Sequence, residues 1–283
     1  MFGFAYSVND VAGSGMASSL IDLYGLDCVE DVRDLGSAVR VCSNDTVKIV
    51  GFRDDVIYFE FLDSFFDSGV FDAAIVLSRH RASSGVPSLT VHSTGNPGPQ
   101  ALYGGRPFEI AYTRPSYSGS LLYYVWVLSR EGYVSSIDFQ VTYEATHHGP
   151  TGNRIPVVFV ELGSSEREWG VREAHDLWAR AIDRFIDKGS ICGELAIGFG
   201  GSHYPERFTR MTIEKGICFG HIIPRYALKN LTPDQVGSIV RRVVESSVEG
   251  VDRVYVEEKA AQSAKIKAII GVLDDLGVGY VIL

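Results

Sequence analysis

The sequence lacks the features that mark membrane proteins, exported proteins and general nucleic-acid-coating proteins. It does not open on a basic segment followed by a sustained apolar stretch, and no uncharged apolar run approaches the roughly 18 residues of a membrane span. The net charge of −9 at pH 7 argues against sequence-independent adhesion to nucleic acid, which needs a dominant positive field. We therefore expect a cytoplasmic protein that does not contact membranes, on which a local basic face is still allowed.

Cysteine is scarce and widely spaced. The chain has four cysteines and no CxxC pair: Cys28, Cys42, Cys192 and Cys218. This spacing favours neither a disulfide framework nor a zinc ribbon, so we expect reduced thiols, with Cys192 and Cys218 as buried apolar side chains. Internal repeats, low-complexity tracts and a convincing linker are also absent, which favours a single domain over residues 1–283.

Strand and helix patterns alternate along the chain. With 283 residues, 46% of them hydrophobic and 22% charged, it can bury a substantial core. An apolar strand over residues 2–8 leads into a helix that Gly25 ends, and residues 251–283 show the β, α, β order that is typical of parallel sheets. These patterns predict an α/β protein, a three-layer α/β/α fold with a mostly parallel mixed sheet.

Two other segments carry specific local predictions. Ser165 and Glu168 have the spacing of a capping box, and the apolar stripe that follows predicts a helix over about residues 166–187. Residues 47–63 contain two β-rich runs joined by Arg53, Asp54 and Asp55, which predicts a hairpin.

Histidines and glutamates follow several predicted strands at the point where each strand ends. Ligands of open α/β sheets bind beyond the carboxyl ends of the strands, so we expect these side chains to converge. Imidazole and carboxylate are common zinc ligands, and a catalytic zinc site uses three of them with one position left for water. No fixed motif such as HExxH is present, and strand-end histidines can instead bond loop backbone. The residues concerned are His80, His92, Glu144, His147, His148, Glu161 and His203.

Two loop-forming segments lie beside these histidines. GFGGSHY places Gly200 and Gly201 where a strand turns, which either brings main-chain N–H groups close to an anion or ribose or only satisfies a turn with positive φ. STGNPGPQ contains Ser93 and Thr94, which can donate to an oxyanion or satisfy turn backbone. We take these four residues as candidates for substrate binding.

Basic residues flank the same segments. His221 follows a short apolar strand and precedes Arg225, and Arg207 follows the glycine loop; all three suit an anionic substrate. His175 lies inside a predicted helix, where we interpret it as structural or exposed. Adjacent side chains of an extended segment point in opposite directions, so we expect one of His147 and His148 to bind metal and the other to face substrate or a second metal.

Five segments, taken in order, resemble the archaeal and plant type of D-aminoacyl-tRNA deacylase. They are LSRHRASSGVPSLTVHSTGN (77–96), YEATHHGP (143–150), VFVELGSSEREW (158–169), GFGGSHY (198–204) and GHIIPRY (220–226). The resemblance spans most of the chain. It implies hydrolysis of the ester between a D-amino acid and the tRNA 3′ end, zinc dependence, and an α/β fold similar to the phosphorylase and peptidyl-tRNA hydrolase group.

This resemblance places the seven strand-end residues in family motifs, and the roles that we assign to them are our own hypothesis. Glu161 or Glu144 accepts the proton of the attacking water, His147 is a further catalytic residue, and N–H groups of the glycine loop stabilise the oxyanion. The expected partner is the acceptor end of D-aminoacyl-tRNA with varied D-amino acids, and we expect a monomer without an obligate protein partner. The predicted Zn²⁺ ligands are His80, His92, His148 and His203.

Other classes remain open at this point. Glycine loops, arginines and histidines also suit a nucleoside phosphorylase or a metallopeptidase of related architecture. A non-catalytic RNA-binding module, with structural histidines, is the third alternative.

Overall fold

The structure, a computed structural model, describes residues 1–30, 36–134 and 137–283. Strands and α-helices alternate along most of these ranges. The strands are β1 (Phe2–Ser7), β2 (Asp27–Glu30), β3 (Ala38–Ser43), β4 (Val47–Phe52), β5 (Ala74–Arg81), β6 (Ser88–His92), β7 (Gln140–Tyr143), β8 (Val157–Ser164), β9 (Glu194–Phe199), β10 (Ile217–Ile223), β11 (Arg253–Val256) and β12 (Tyr280–Ile282). The α-helices are α1 (Val11–Tyr24), α2 (Pro115–Arg130), α3 (Glu166–Trp169), α4 (Arg172–Lys188), α5 (Glu206–Lys215), α6 (Arg225–Lys229), α7 (Pro233–Glu245) and α8 (Ser263–Leu276).

The strands form two sheets. The larger sheet has the order β2-β3-β4-β1-β5-β8-β6-β7; β4, β1, β5 and β8 run parallel, and β6 runs antiparallel to β8. The smaller sheet has the order β10-β9-β11-β12, with parallel pairs. The predicted α/β class with a mostly parallel mixed sheet is confirmed, although its strands divide between two sheets.

Helices cover one face of the larger sheet and both faces of the smaller one. On the larger sheet, α1, α2 and α4 pack over a continuous apolar cluster. In the smaller sheet, Ala196 contributes to that same cluster, whereas the next residue, Ile197, packs in the cluster formed with α7 and α8. None of the helices in the described ranges combines the length and the apolar character that a membrane span needs.

The segment 53–72 covers the other face of the larger sheet. The predicted hairpin over residues 47–63 is wrong, because β4 ends at Phe52 and the chain continues through two single-turn 3-10 helices. Three later aromatic rings pack on the Phe52 ring, with centroids 4.8, 4.9 and 5.2 Å away. Rings of this size bury large apolar areas, so the chain folds over the sheet instead of extending it. In the order of these distances, the rings belong to Phe65, Phe59 and Phe61.

The helix predicted over residues 166–187 is present in two parts. The capping box of Ser165 and Glu168 forms as predicted and starts α3. Gly170 and Val171 then separate α3 from α4. The break turns Trp169 toward β5, where its indole N–H donates to the carbonyl of His80.

The expectation of reduced cysteines is wrong. Cys28 and Cys42 lie opposite each other on the antiparallel strands β2 and β3 and form a disulfide, with Cα atoms 4.1 Å apart. Cys192, just before β9, forms a second disulfide with Cys218 on the neighbouring strand β10. Sheet pairing brings together cysteines that lie 14 and 26 residues apart in sequence, which no local spacing rule detects.

Candidate active site

The strand-end residues converge over one face of the larger sheet. His80 on β5 lies level with Gly163 of the parallel strand β8, and Glu161 precedes that glycine by two residues. Strand β6 runs antiparallel to β8 and places His92 level with Phe159. Because alternate residues of a strand point to the same face, these side chains meet over the middle of β8. We expected the side chains to meet at the carboxyl edge of a sheet, and this expectation is wrong. They meet over its face because β6 and β7 run opposite to β5 and β8.

The loop after β7 brings the remaining members. Glu144 comes directly after this strand, and the two adjacent histidines follow in the same loop. The N–H of Ala145 donates to the carbonyl of His203, and the N–H of Thr146 donates to the carbonyl of Ile222, each over 2.8 Å. These backbone bonds fasten the loop of the larger sheet to the smaller sheet, and so place His203 beside Glu144.

His80 lies between the two buried glutamates. Its Nδ1 is 3.1 Å from Oε1 of Glu144 and 3.2 Å from Oε2 of Glu161, and its Nε2 is 2.8 Å from the hydroxyl of Tyr204. Burial disfavours the charged imidazole, but the hydrogen bonds and charges of both glutamates outweigh it and raise the pKa of His80 to about 10. A protonated His80 thus offsets part of the negative charge of the pair.

Both glutamates stay ionised at neutral pH despite their burial. Burial alone would raise the pKa of Glu144, but hydrogen bonds from His203 and His80 hold it well below the usual range. Burial and the neighbouring Glu144 charge raise the pKa of Glu161, but the hydrogen bond with His80 and the nearby imidazole of His92 outweigh them and lower it. The site therefore contains a fixed negative charge surrounded by imidazoles.

His147 and His148 present unprotonated Nε2 atoms. The Nδ1–H of His147 donates to the carbonyl of Ala145 over 2.8 Å, and that of His148 donates to the carbonyl of Gly149 over 2.6 Å. Burial lowers the pKa of His147 well below its ordinary value and lowers that of His148 to about 4. Neutral imidazoles with Nδ1–H bonded to a carbonyl carry their lone pair on Nε2, the arrangement found in metal-ligating histidines.

His92 completes a group of three imidazoles with this adjacent pair. Its Nδ1 is bonded to the carbonyl of Ser93, and its buried Nε2 has no hydrogen-bond partner among the described residues. One potential ligand atom of each of His92, His147 and His148 lies within 4.8 Å of the others. The expectation that the adjacent pair would diverge is wrong, because His148 has a φ of 44° and the two rings lie 4.3 Å apart.

Two further groups have metal-ligating chemistry. Glu144, His147 and His203 form one, and His80, Glu144 and Glu161 form the other. His203 is bonded through Nε2 to Glu144 at 2.8 Å and through Nδ1 to the hydroxyl of Tyr226 at 3.2 Å. Within the described ranges, no such group joins His148 to His80 or His203, so the predicted four-histidine ligand set divides among separate clusters.

Two cavities meet at the imidazoles. The first, which we call the polar chamber, has a volume of about 500 Å³ and contains the side chains of Arg79, His80, Glu144 and Glu161 in its wall. The second, the apolar chamber, has a volume of about 430 Å³ and extends along the segment 95–103. Both are within the usual size range of ligand pockets. The residues that line both are Tyr103, His147 and His148.

Arginines stand at the polar chamber. The guanidinium groups of Arg79 and Arg81 lie 5.9 and 5.4 Å from the Trp169 ring, close enough for cation–π contact. Arg79 also pairs with Asp10, the buried N-cap residue of α1, and with Asp55 at 3.0 Å. The sequence indicated neither Trp169 nor Asp10 as part of the site. Tyr204 and Tyr226 were also missed, although each is the last residue of a motif, GFGGSHY and GHIIPRY respectively.

The four loop residues predicted to bind substrate have their polar groups engaged inside the protein. The hydroxyl of Ser93 bonds that of Thr113, and the hydroxyl of Thr94 donates to the carbonyl of Pro150. The N–H of Gly200 donates to the carbonyl of Ile223, and the N–H of Gly201 donates to the carboxylate of Glu257. The oxyanion role predicted for this glycine loop is therefore not supported. The main-chain angles φ of 132° and 75° support the turn interpretation instead.

The remaining predicted contacts also lie away from the imidazoles. His221 is fully buried, with Nδ1 bonded to Thr146 and Nε2 donating to the carbonyl of Ala111, so its role is structural. Arg207 is exposed on α5 and lines neither chamber, and Arg225 bonds the carbonyl of Gly201. His175 is buried in α4 and bonds the carbonyl of Trp169, which confirms the structural interpretation.

Comparisons with known proteins agree on one family. The family model described as D-aminoacyl-tRNA deacylase matches residues 68–281. A D-aminoacyl-tRNA deacylase of Staphylothermus marinus is 39% identical, over 93% of this chain and 92% of its own length, and that of Hyperthermus butylicus is 38% identical over 94% and 100%. A crystal structure of a conserved protein of unknown function, AF0625, superposes with a TM-score of 0.86 at 27% identity, over 100% of this chain and 95% of that one. This chain belongs to the D-aminoacyl-tRNA deacylase family.

Proposed function

We propose that this protein hydrolyses the ester bond of D-aminoacyl-tRNA and releases the free D-amino acid and tRNA. One observation carries the proposal beyond family membership: two imidazoles with unprotonated Nε2 atoms line two cavities, one of which also contains the buried glutamates Glu144 and Glu161. Such a site offers a proton acceptor and ligand atoms for a metal ion, which would supply the electrophilic assistance that ester hydrolysis needs. The reaction removes wrongly charged tRNA from translation, and we place the enzyme in the cytoplasm, where translation takes place.

The three imidazoles fit a zinc ion. His92, His147 and His148 would hold it, since three neutral imidazoles with one open position are a recurring donor set of catalytic zinc. The Nε2 of His92 supports this fit because it is buried and lacks a hydrogen-bond partner. Burial disfavours the charged imidazole of His92, but Glu161 outweighs it and raises the pKa, so a bound metal would replace the proton of that imidazole. When bound, zinc supplies Lewis-acid polarisation of the ester carbonyl and lowers the pKa of water.

Glu161 is the better placed proton acceptor of the two glutamates. Its side chain is 6% exposed, compared with 1% for Glu144, and His80 bonds only its Oε2 within hydrogen-bond distance. Its Oε1, which lies 3.6 Å from Nε2 of His92 without a hydrogen bond to it, is the carboxylate oxygen left to take a proton from water. Glu144 instead bonds His203 and lies beside His80 and His147, which orients these rings.

The protonated His80 acts on the same carboxylate. By donating to Oε2 of Glu161, it keeps this oxygen occupied and fixes the direction of Oε1. Tyr204 holds the opposite side of the ring through its hydroxyl, at 2.8 Å from Nε2. The imidazole is thereby held from both sides, so the proton acceptor is in position before substrate binds.

Deacylation of matched enantiomers tests the proposal. Purified protein is incubated with tRNA charged with D-tyrosine or L-tyrosine, with and without a chelator, and the remaining ester is counted over time. We expect hydrolysis of the D-ester at least about 100-fold faster than that of the L-ester, since a shaped site excludes the wrong configuration by steric conflict. Equal hydrolysis of both esters contradicts the proposal, and chelator-resistant hydrolysis contradicts the zinc part alone.

The same assay separates the alternative classes. A nucleoside phosphorylase would require phosphate for turnover, a metallopeptidase would cleave peptides at a comparable rate, and an RNA-binding module would bind tRNA without releasing amino acid. The family match favours none of these three.

A further inference from the structure

The two chambers differ sharply in charge. Among the described residues, those that line the apolar chamber include no aspartate, glutamate, lysine or arginine. Its wall contains prolines, glycines, Leu102, Ala227 and two tyrosines, Tyr103 and Tyr226. The other lining residues are the uncharged Asn96, Gln100, Thr146 and Asn230 and the shared His147 and His148. Leu102 and Tyr103 are 73% and 66% exposed, so a sizeable apolar surface is available beside the site.

The polar chamber has the opposite character. It contains Arg79 and Arg81 together with the site glutamates. Arg79 is paired with Asp10 and Asp55, whereas Arg81 is exposed, has no carboxylate partner among the described residues and keeps N–H donors for an anion. Phosphodiesters of a nucleic-acid end carry one negative charge each, so the nucleotide part of an aminoacyl-tRNA fits this side.

The shared wall fixes where the scissile bond lies. His147 and His148 line both chambers, so a molecule that extends from one chamber into the other passes its middle along these imidazoles. In an aminoacyl-tRNA, the ester lies between the nucleotide and the amino acid. With the nucleotide on the arginine side, the amino acid reaches the uncharged side.

We propose that the apolar chamber is the binding subsite for the side chain of the D-amino acid. This inference rests on the proposed deacylase function. A volume of about 430 Å³ accepts side chains of any size, and walls of proline, leucine and tyrosine bind apolar and aromatic groups through buried area and ring contact. The chamber therefore gives wide acceptance of D-amino acids with a preference for large apolar ones.

Gly98 offers a direct test of the subsite. This residue lines the chamber, has no positive φ, and a Cβ built on it meets no atom within 4 Å. The Cβ of a Gly98→Phe side chain therefore meets no protein atom, and the ring adds bulk at the chamber wall. The matched control is Gly271→Phe: Gly271 is exposed on α8, a Cβ there also meets nothing within 4 Å, and it lines a separate groove between α7 and α8.

The measurement compares KM and kcat for D-tyrosyl-tRNA and D-alanyl-tRNA. For Gly98→Phe we expect KM for the tyrosyl ester to rise by about 10-fold or more, with KM for the alanyl ester within about 3-fold of wild type. Gly271→Phe should match wild type for both esters. A second variant, Leu102→Ala, removes an exposed apolar wall residue and should reduce the preference for the tyrosyl ester by about 3-fold or more.

Three outcomes decide the question. A selective loss with the tyrosyl ester in Gly98→Phe supports the subsite, as does a reduced preference in Leu102→Ala. Equal losses with both esters in Gly98→Phe, together with an unchanged preference in Leu102→Ala, overturn it. If wild-type protein hydrolyses neither ester, the proposed deacylase function fails first, and this result is distinct from any pattern among the variants.

Discussion

The Nε2 of His147 lies 3.6 Å from the Oε2 of Glu144, although both atoms are hydrogen-bond acceptors. The Nδ1–H of His147 donates to the carbonyl of Ala145, which leaves the lone pair on Nε2. Two acceptors that face each other in a buried site repel unless a proton or a cation lies nearby. The Nε2–H of His203, which donates to the same Oε2 over 2.8 Å, supplies such a proton, and a cation held by His147 would relieve the contact further.

Removal of one imidazole tests this conclusion. We expect His147→Ala and His148→Ala to weaken zinc affinity by at least about 100-fold. Loss of a residue that only hydrogen-bonds a metal ligand typically weakens metal affinity by about 10- to 100-fold, and loss of the ligand itself should weaken it more. Zinc content after dialysis against a graded chelator series is the measurement. His175→Gln, in which a buried histidine outside the site is replaced, should keep wild-type affinity. Full zinc retention in both site variants contradicts the three-imidazole assignment.

Substitution of the proposed proton acceptor affects turnover more than binding. Glu161→Gln keeps the shape of the side chain and removes the base, so we expect kcat to fall by about 100- to 10,000-fold with KM within a few-fold of wild type. The control is Glu166→Gln, since Glu166 is exposed in the first turn of α3. A change of less than about 10-fold in kcat would assign the proton transfer to another group.

The arginines at the polar chamber predict a salt effect. If Arg81 contacts a phosphate of the acceptor end, Arg81→Gln should reduce the slope of log KM against log salt concentration by about 0.7. This is the slope that each phosphate contact contributes with single-stranded nucleic acid. The comparison variant is Arg241→Gln, in the groove between α7 and α8. KM values for D-tyrosyl-tRNA measured between low and high salt give both slopes. Equal slopes for wild type and Arg81→Gln would exclude this phosphate contact.

The disulfides predict a thiol count. Denatured protein should react with no equivalents of a thiol reagent before reduction and with all four cysteines after it, since both pairs are bonded. Cys28→Ser should lower the free energy of unfolding by roughly 3 kcal/mol, the value expected for a loop of about 15 residues. Denaturant unfolding with and without reductant measures this difference. Free thiols in the unreduced protein would restore the interpretation made from the sequence.

The sequence predicted the members of the site better than their roles. His80, Glu144, His147, Glu161 and the others could be found because each follows a recognisable strand. Their roles depend on which ring nitrogen a backbone carbonyl occupies, and loop conformation decides this. The φ of 44° at His148 aligns two side chains that an extended segment would separate, and nothing in the neighbouring residue types signals it.

Long-range packing accounts for the other differences. The aromatic residues after Phe52 have strand-like composition, but their rings pack around Phe52 on the face of the larger sheet instead of forming another strand. The antiparallel direction of β6 moves the site from the edge of the sheet to its face. Helix starts, by contrast, depend on local chemistry, and the capping box that starts α3 formed as the spacing predicted.

His221 predicts how stability depends on pH. Burial lowers its pKa to about 4, compared with the ordinary 6.5 of an unfolded chain, and its Nε2–H donates to the carbonyl of Ala111. Between pH 6.5 and 4, the unfolded chain therefore binds a proton that the folded protein excludes, and the folded state loses stability as the pH falls. A shift of this size corresponds to about 3 kcal/mol.

The variant His221→Gln isolates this contribution. Glutamine keeps a donor for Ala111 and does not titrate, whereas every other buried histidine is unchanged. Urea unfolding at pH 7 and pH 4 should show that wild type loses about 3 kcal/mol more than the variant over this interval. At pH 7 the variant should be the less stable protein by about 1 kcal/mol, because the hydroxyl of Thr146 loses its imidazole partner. An equal loss in both proteins would contradict this prediction, because it would mean that His221 is protonated in the folded state at pH 4.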